Sequence, residues 1–169
     1  FEWEQANIFS GWVCVAHASE LTGVGSQRAV GSGPNSVLLV RGEDGGVRAF
    51  ANTCRHRGHE LLACGATAKR RNIVCPYHSW SYDLAGELRG VYAEKTFGEV
   101  PREGRGLVRL PAGERAGIVF VSLDPAAEPD LDEWLGDLQP LLEGLRLAEC
   151  HHYATSELTS PNWKVTLDG

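Results

Sequence analysis

Two short stretches decide the fold of this chain: Cys54-Arg55-His56-Arg57-Gly58 and, after the eighteen residues 57–74 that follow His56, Cys75-Pro76-Tyr77-His78-Ser79-Trp80. Each stretch places one thiol and one imidazole on a tight loop. Two such loops that face each other present two sulfurs and two nitrogens, which is the donor set of a four-ligand metal site. A structural zinc ion accepts this set, and so does a [2Fe-2S] cluster in which two histidines replace two cysteines on one iron. Spacing alone does not choose between them.

Short β-forming runs surround the two stretches. Residues 36–40 and 47–50 flank Glu43-Asp44-Gly45-Gly46, a pattern that predicts a hairpin. Further strands are predicted at 12–17, 79–84, 87–89, 106–110 and 118–123, with a turn at 111–113. Strands at this close spacing, without alternating helices, predict a mainly β, antiparallel domain.

The last part of the chain has a different composition. Residues 124–129 form a short linker rich in Pro and Ala, after which Asp130 and Glu133 make a start that resembles a capping box. Apolar residues then keep helical spacing until Pro140 restarts or kinks the helix, and residues 149–158 predict one more strand. We therefore expect an N-terminal arm at 1–10, a β domain at 11–123, and a linker with the truncated, short α/β start of a second domain at 124–169.

Composition excludes several classes of function. Sixteen Lys and Arg against 22 Asp and Glu give a net charge of −6, which argues against nucleic-acid binding. No apolar run approaches the roughly 20 residues that span a bilayer, so we expect no membrane segment and a cytoplasmic location. Three further cysteines, Cys14, Cys64 and Cys150, show no paired spacing and are expected to be reduced, buried thiols. The chain has no Met and stops soon after a helix start at Ser160-Pro161, so we expect both ends to be trimmed.

The residues that flank the four donors distinguish between a zinc ion and a [2Fe-2S] cluster. With Ser81-Tyr82-Asp83 and Gly86 following, the two stretches closely resemble the Rieske box of Rieske-type non-heme iron oxygenases, the aromatic-ring-hydroxylating dioxygenase family. The strand pattern over 11–123 resembles their Rieske domain, and Asn162-Trp163-Lys164 resembles the start of the catalytic domain in their large subunit. Two departures are a long interval between His56 and Cys75 and a serine, Ser79, where glycine is common. Respiratory Rieske proteins carry an additional cysteine in each loop, at the places of His59 and Tyr77, so the oxygenase branch fits.

The resemblance implies a role for each residue of the two stretches. Cys54 and Cys75 would bind one iron of a [2Fe-2S] cluster, and His56 and His78 would bind the outer iron. Gly58 and Pro76 would shape the loop backbones. Tyr77 and Trp80 are either ordinary core aromatics or pack over the loops and limit access of water. Arg55 and Arg57 are either solvated charges or face an acidic electron donor.

The resemblance also implies the reaction. Electrons from NAD(P)H, passed on by a reductase or a ferredoxin, would reach the cluster and then a mononuclear Fe(II) that activates O2 to hydroxylate or demethylate an organic, often aromatic, substrate. The Fe(II) ligands would lie beyond Gly169, so no catalytic residue is expected within this chain, and the full-length protein would form a homotrimer. His151 and His152 are not expected to bind this iron, because neighbours on a strand point to opposite faces. The alternative function is a stand-alone Rieske ferredoxin-type electron carrier.

Overall fold

The three antiparallel sheets of this chain place the two stretches side by side. The computed structural model describes residues 2–7, 11–32, 35–98, 100–126, 130–156, 159 and 162–168. Every strand pair within them is antiparallel, so the predicted mainly β fold is confirmed. The strands are β1 (Trp12–His17), β2 (Ser26–Ser32), β3 (Asn35–Arg41), β4 (Val47–Ala51), β5 (Thr67–Lys69), β6 (Ile73–Val74), β7 (Ser81–Tyr82), β8 (Leu88–Gly90), β9 (Arg109–Leu110), β10 (Ala112–Arg115) and β11 (Ile118–Ser122).

The largest sheet has the order β5-β2-β3-β4-β9, and the predicted hairpin is its β3–β4 pair. A second sheet has the order β1-β11-β10, and a small third sheet has the order β6-β7-β8. The loop that carries the first stretch, 54–58, follows β4, whereas the loop that carries the second stretch, 75–80, joins β6 to β7. Both loops thus arise from strand ends, where backbone hydrogen bonding to a neighbouring strand fixes their bases.

Strand β3 is buried on both faces, which explains its unbroken apolar run. Leu38 and Val40 belong to the apolar core beneath the two loops, together with Cys54 and Cys75. The alternate residues, Val37 and Leu39, pack in a second core that includes Val119 and Val121 of β11 and Leu110 of β9. Because successive side chains of a strand point to opposite faces, one strand serves both cores.

The helices are short and peripheral: α1 (Glu2–Asn7), α2 (Glu94–Phe97), α3 (Leu131–Leu135), α4 (Leu138–Gly144) and α5 (Trp163–Asp168). Asp130 caps α3 as predicted, because its carboxylate accepts hydrogen bonds from the backbone N–H groups of Asp132 and Glu133. The helical run breaks at Gly136, which has φ 45°, and not at Pro140. Pro140 lies in the first turn of α4, where its missing N–H has no intrahelical partner to lose.

Two local predictions were wrong. The predicted turn at 111–113 is largely strand β10, and the chain turns instead at Ala116 and Gly117, which have φ 51° and 82°. The strand predicted over 149–158 is absent from its described residues. Leu147–Glu149 forms a 3-10 turn, and residues 150–156 have no regular secondary structure. Residues 157 and 158, and the helix start at Ser160-Pro161, lie outside the described residues.

The remaining cysteines also differ from expectation. Cys14, Cys64 and Cys150 are free thiols but exposed, not buried. Cys14 lies on β1 and Cys64 in the loop after the first stretch, and neither belongs to an apolar core. In the part of the chain that the structure describes, no helix combines the length and the apolar character that crossing a membrane requires.

Candidate metal centre

The two loops share one hydrogen-bonding pattern although their sequences differ. The backbone N–H of Cys54 donates to the carbonyl of His59, and that of Cys75 donates to the carbonyl of Trp80, both at 2.8 Å. Four residues after each cysteine, an N–H donates back to its carbonyl, from Gly58 at 2.9 Å and from Ser79 at 3.0 Å. Each cysteine is therefore held at the base of the same six-residue turn, and the predicted histidine ligand is the third residue of the first turn and the fourth of the second.

The four donors are grouped in two pairs. Cys54 and Cys75 are both 2% exposed within the same apolar core, where burial and the neighbouring Cys75 raise the pKa of the Cys54 thiol. The rings of His56 and His78 meet edge to face, with their centroids 4.9 Å apart, nearer the surface. Among the described residues, no three His, Cys, Asp or Glu side chains surround one point closely enough to bind a single metal ion. Sulfur beside sulfur and nitrogen beside nitrogen is the grouping that a binuclear cluster requires.

One unsatisfied atom supports a metal at this place. The Nδ1 atom of His78 is buried and has no hydrogen-bond partner. Buried polar atoms of proteins nearly always have a partner, so an exception points to a missing ligand. A neutral imidazole that binds iron through Nδ1 would satisfy this atom. The four residues predicted as donors therefore fit a [2Fe-2S] group with two sulfur and two nitrogen ligands.

Tyr82 contacts the first cysteine, a role that the sequence did not reveal. Its hydroxyl lies 3.3 Å from the Sγ atom of Cys54 and accepts a hydrogen bond from the backbone N–H of Arg55 at 3.1 Å. Burial raises the pKa of Tyr82, which keeps the hydroxyl protonated. Burial also raises the pKa of the Cys54 thiol, while Tyr82 and the backbone of His56 act in the opposite direction. The Tyr82 O–H is thus placed to stabilise a thiolate at Cys54.

The aromatic residues of the second stretch have different environments. Trp80 is buried, and its ring stacks on His56 with centroids 4.8 Å apart and planes 9° apart. Tyr77 is 56% exposed, so it is not a core aromatic, and its ring centroid lies 3.7 Å from that of His78. Each histidine therefore has an aromatic neighbour, but one neighbour belongs to the core and the other faces solvent. Pro76 is exposed in the turn itself.

A pocket of about 530 Å³ opens on the imidazole side of the site. The described residues that line it include both histidines, apolar side chains and two arginines, Arg57 and Arg105. Partial burial lowers the pKa of His56, and the neighbouring His78 and the positive charges of the two arginines lower it further. A neutral imidazole keeps the lone pair that metal binding needs. Arg105 comes from a loop some 25 residues beyond the second stretch, so no local pattern could indicate its place in the pocket.

Asn52 is a further residue that sequence reasoning missed. It is 2% exposed, and its amide group donates to the carbonyl of Leu62 at 2.7 Å and accepts from the N–H groups of Leu61 and Leu62 at 3.2 Å. These bonds fasten the segment that leaves the first loop to the end of β4. A polar residue just after a strand that precedes a metal loop is the signal that could have identified it.

The common turn makes Ser79 a conformational weak point, and this yields a prediction about stability. Gly58 has φ 71° and Ser79, at the equivalent position, has φ 55°. Only glycine adopts this left-handed region without strain, and other residues are destabilised there by about 1–2 kcal/mol. Replacing Ser79 with glycine would relieve this strain, but the greater conformational entropy of glycine in the unfolded chain would offset part of the stabilisation. We expect Ser79→Gly to raise the free energy of unfolding in urea by about 0.5–1 kcal/mol.

The matched control is Ser81→Gly, two residues further on in β7. Glycine in an extended strand loses more chain entropy and gains nothing, so this change should lower the free energy of unfolding by about 0.5–1 kcal/mol. Equal destabilisation by the two substitutions would show that Ser79 carries no backbone strain.

Comparison with known proteins gives consistent results. Residues 11–103 match the family described as the Rieske [2Fe-2S] domain. The carnitine monooxygenase oxygenase subunit of Escherichia coli K12 is 35% identical over 99% of this chain and 46% of its own length. The biphenyl dioxygenase alpha subunit of Metapseudomonas furukawaii is 32% identical over 85% of this chain and 33% of its own. The crystal structure of the quaternary ammonium Rieske monooxygenase CntA with L-carnitine superposes with a TM-score of 0.77, at 33% identity over 88% of this chain and 43% of that one. The chain spans less than half the length of these relatives.

Proposed function

Because this chain belongs to the Rieske [2Fe-2S] domain family, we propose that it relays electrons through a [2Fe-2S] cluster held by Cys54, His56, Cys75 and His78. The observation that carries the proposal is the paired arrangement of these donors, with the buried Nδ1 of His78 lacking any other partner. When bound, the cluster takes up and releases single electrons at a higher potential than an all-cysteine cluster, because neutral imidazoles replace two anionic thiolates.

The sulfur side and the imidazole side of this site have different environments. The thiols lie in the apolar core, where water is excluded, and the Tyr82 hydroxyl provides the hydrogen bond to sulfur. The imidazoles lie at the pocket, where Trp80 fixes the plane of His56 by stacking. Electrons would therefore enter and leave at the histidine edge, while the sulfur side stays shielded. Gly58 and Ser79 hold the cysteines by closing the two turns.

We extend the proposal to the whole protein. The relatives align with nearly all of this chain, including residues after 123, and they are named as oxygenase subunits. This favours an oxygenase large subunit over the stand-alone carrier. The mononuclear Fe(II) and its ligands would belong to the part of the protein that this chain does not contain. A reductase or ferredoxin would supply the electrons, O2 and an organic compound would be the substrates, and the subunits would assemble as a homotrimer.

Metal analysis tests the proposed centre. The protein, purified without air, should be red-brown and contain about two irons and two acid-labile sulfides per chain, as a [2Fe-2S] cluster requires. Iron and sulfide are measured chemically, and the reduced cluster is identified by electron paramagnetic resonance. A colourless, folded protein with stoichiometric zinc would contradict the proposal.

Oxygen consumption tests where catalysis takes place. This chain, reduced by dithionite, should transfer electrons to an acceptor, but it should form no hydroxylated product from O2. In the described structure, the ring nitrogens of His152 face Glu20 and Thr155, so they are already engaged. Product formation by the chain with a reductase alone would show that a catalytic iron site, separate from the cluster, lies within residues 1–169.

The Tyr82 hydroxyl allows a prediction about the reduction potential. Reduction adds negative charge to the sulfurs, so a hydrogen bond to Cys54 stabilises the reduced form more than the oxidised form. A hydrogen bond to a charged group contributes about 1.5 kcal/mol, and a tenfold change in a one-electron equilibrium corresponds to about 59 mV. We therefore expect Tyr82→Phe to lower the potential by about 50 mV in a redox titration.

Tyr77→Phe is the matched control, because the ring of Tyr77 contacts His78 and the residue is 56% exposed, outside the apolar core that holds the cysteines. This change should leave the potential unaltered. Equal shifts in the two variants would mean that the Tyr82 hydroxyl does not act on the sulfur.

A further inference from the structure

The chain leaves the β domain through the segment 147–156, named here the exit segment. Its residues after the 3-10 turn Leu147–Glu149 have no regular secondary structure, and those from Ala148 onwards are exposed. No apolar core of the described chain includes it. Its position must therefore depend on polar contacts and on local fit.

Two polar side chains of the β domain, His17 and Ser19, contact the exit segment at Leu147 and at His152. His17 Nε2 lies 2.9 Å from the carbonyl oxygen of Leu147, and its Nδ1 lies 2.8 Å from the hydroxyl of Ser19. The backbone N–H of His152 donates to that same hydroxyl at 2.9 Å. His17 and Ser19 thus bridge Leu147 and His152, five residues apart, and we name this pair the polar staple.

The donors and acceptors of the staple form one consistent chain. The backbone N–H of Ser19 donates to Nδ1 of His17, which makes Nδ1 an acceptor. Nε2 then carries the proton and donates to Leu147. Because the Ser19 oxygen accepts from His152, its own O–H is free to donate to Nδ1. With this assignment of donors and acceptors the hydroxyl of Ser19 joins the two halves of the bridge, since it contacts both the ring of His17 and the N–H of His152.

Two independent features show that the β domain is shaped to receive the segment. Gly117, in the β10–β11 turn, abuts Ala148 so closely that a Cβ atom there would lie 2.6 Å from the Ala148 Cα. Glu20, whose side chain is 7% exposed, forms an ion pair of 2.9 Å with Arg28 and also lies 3.6 Å from Nδ1 of His152. The surface of the β domain under the exit segment therefore has a glycine that leaves room for the backbone of Ala148 and a buried carboxylate beside His152.

We propose that His17 and Ser19 are positioning residues that fasten the exit segment to the β domain and so fix the direction in which the chain leaves it. Breaking the bridge releases residues 147–156 as a unit without unfolding the sheets. The value of this device for electron relay, the alignment of a following catalytic part with the metal centre, rests on the proposed function.

Amide hydrogen exchange on this chain tests the staple directly. Ser19→Ala removes the bridging hydroxyl, and we expect the exchange rate of the His152 amide to rise about five- to tenfold, the effect of losing roughly one hydrogen bond. Ser19→Thr keeps a hydroxyl and should restore slow exchange. Thr155→Ala removes a different hydroxyl beside His152 and should leave the amide unaffected. The Ala18 amide, which donates to Gly117, should stay protected in all three variants and so report an intact domain.

Trypsin cleavage after Arg146 provides a second measurement. Arg146 is exposed just before the exit segment, and cleavage requires the neighbouring residues to detach. Ser19→Ala should speed this cut severalfold relative to the cut after exposed Arg71, and Ser19→Thr should not. Unchanged exchange at His152 and unchanged cleavage in Ser19→Ala would overturn the staple. Iron content separates the two proposals: a protein without iron contradicts the proposed function but leaves these measurements valid.

Discussion

Replacing Cys75 with serine is expected to remove the metal centre. The hydroxyl of serine is a much weaker ligand for iron than a thiolate, and the buried site offers no other sulfur to replace it. Iron should fall from about two atoms per chain to near zero, with loss of the visible absorption. Cys54→Ser should behave alike, because both cysteines are buried in the same apolar core. Chemical iron analysis and absorption spectra measure both effects.

The control is Cys64→Ser, an exposed cysteine outside the apolar cores. This variant should keep full iron content. A Cys75→Ser protein with a normal Rieske spectrum would show that the second loop contributes a different ligand.

Replacing His78 with cysteine is expected to lower the reduction potential strongly. An anionic thiolate replaces a neutral imidazole, so an added electron is repelled more. The ranges for Rieske and all-cysteine clusters differ by several hundred millivolts, so one exchanged ligand should account for a decrease on the order of 100–300 mV. The potential is read from a redox titration followed by electron paramagnetic resonance.

His59→Cys introduces the same side chain in the neighbouring loop, where the ring of His59 lies against Tyr77. This control should keep both the cluster and its potential. An unchanged potential in His78→Cys would exclude His78 as a ligand, whereas a loss of the cluster in His78→Cys alone would still assign that role to it.

The proposed donor set could be identified from the sequence because it depends on residue types within short loops. Cys54, His56, Cys75 and His78 lie at fixed offsets within two turns, and the turns bring each pair to a strand end. The unusual Ser79 could also be noticed in this way, since the turn requires φ 55° at that position. Local geometry of this kind can be predicted from residue types that lie close together in the sequence.

Contacts between residues that are distant in the sequence cannot be predicted in this way. Tyr82 approaches Cys54 across 28 residues, and Arg105 reaches the pocket from a separate loop. Neither the partner of a buried hydroxyl nor the place of a surface charge can be read from spacing. Both depend on how the three sheets pack, which the strand pattern alone does not specify.

The strand expected over 149–158 failed for a different reason. Tyr153, Thr155 and Leu158 favour extended backbone, but a strand also needs a neighbour to pair with. In the described part of this segment, the N–H of His152 bonds to the side chain of Ser19 and not to the edge of a sheet. Propensity favours extended backbone here, but the pairing that a strand requires could not be inferred from it.

A cluster bound as proposed would also make the pairing of Cys54 with Cys75 a cross-link. These residues stand 21 positions apart and belong to different loops, so iron bound to both sulfurs closes a ring of chain that includes β5 and β6. A covalent closure of about this length reduces the entropy of the unfolded chain enough to contribute roughly 3 kcal/mol. The loaded protein would then owe part of its resistance to denaturation to a cross-link made of iron and sulfide, in the role that disulfides have in secreted domains.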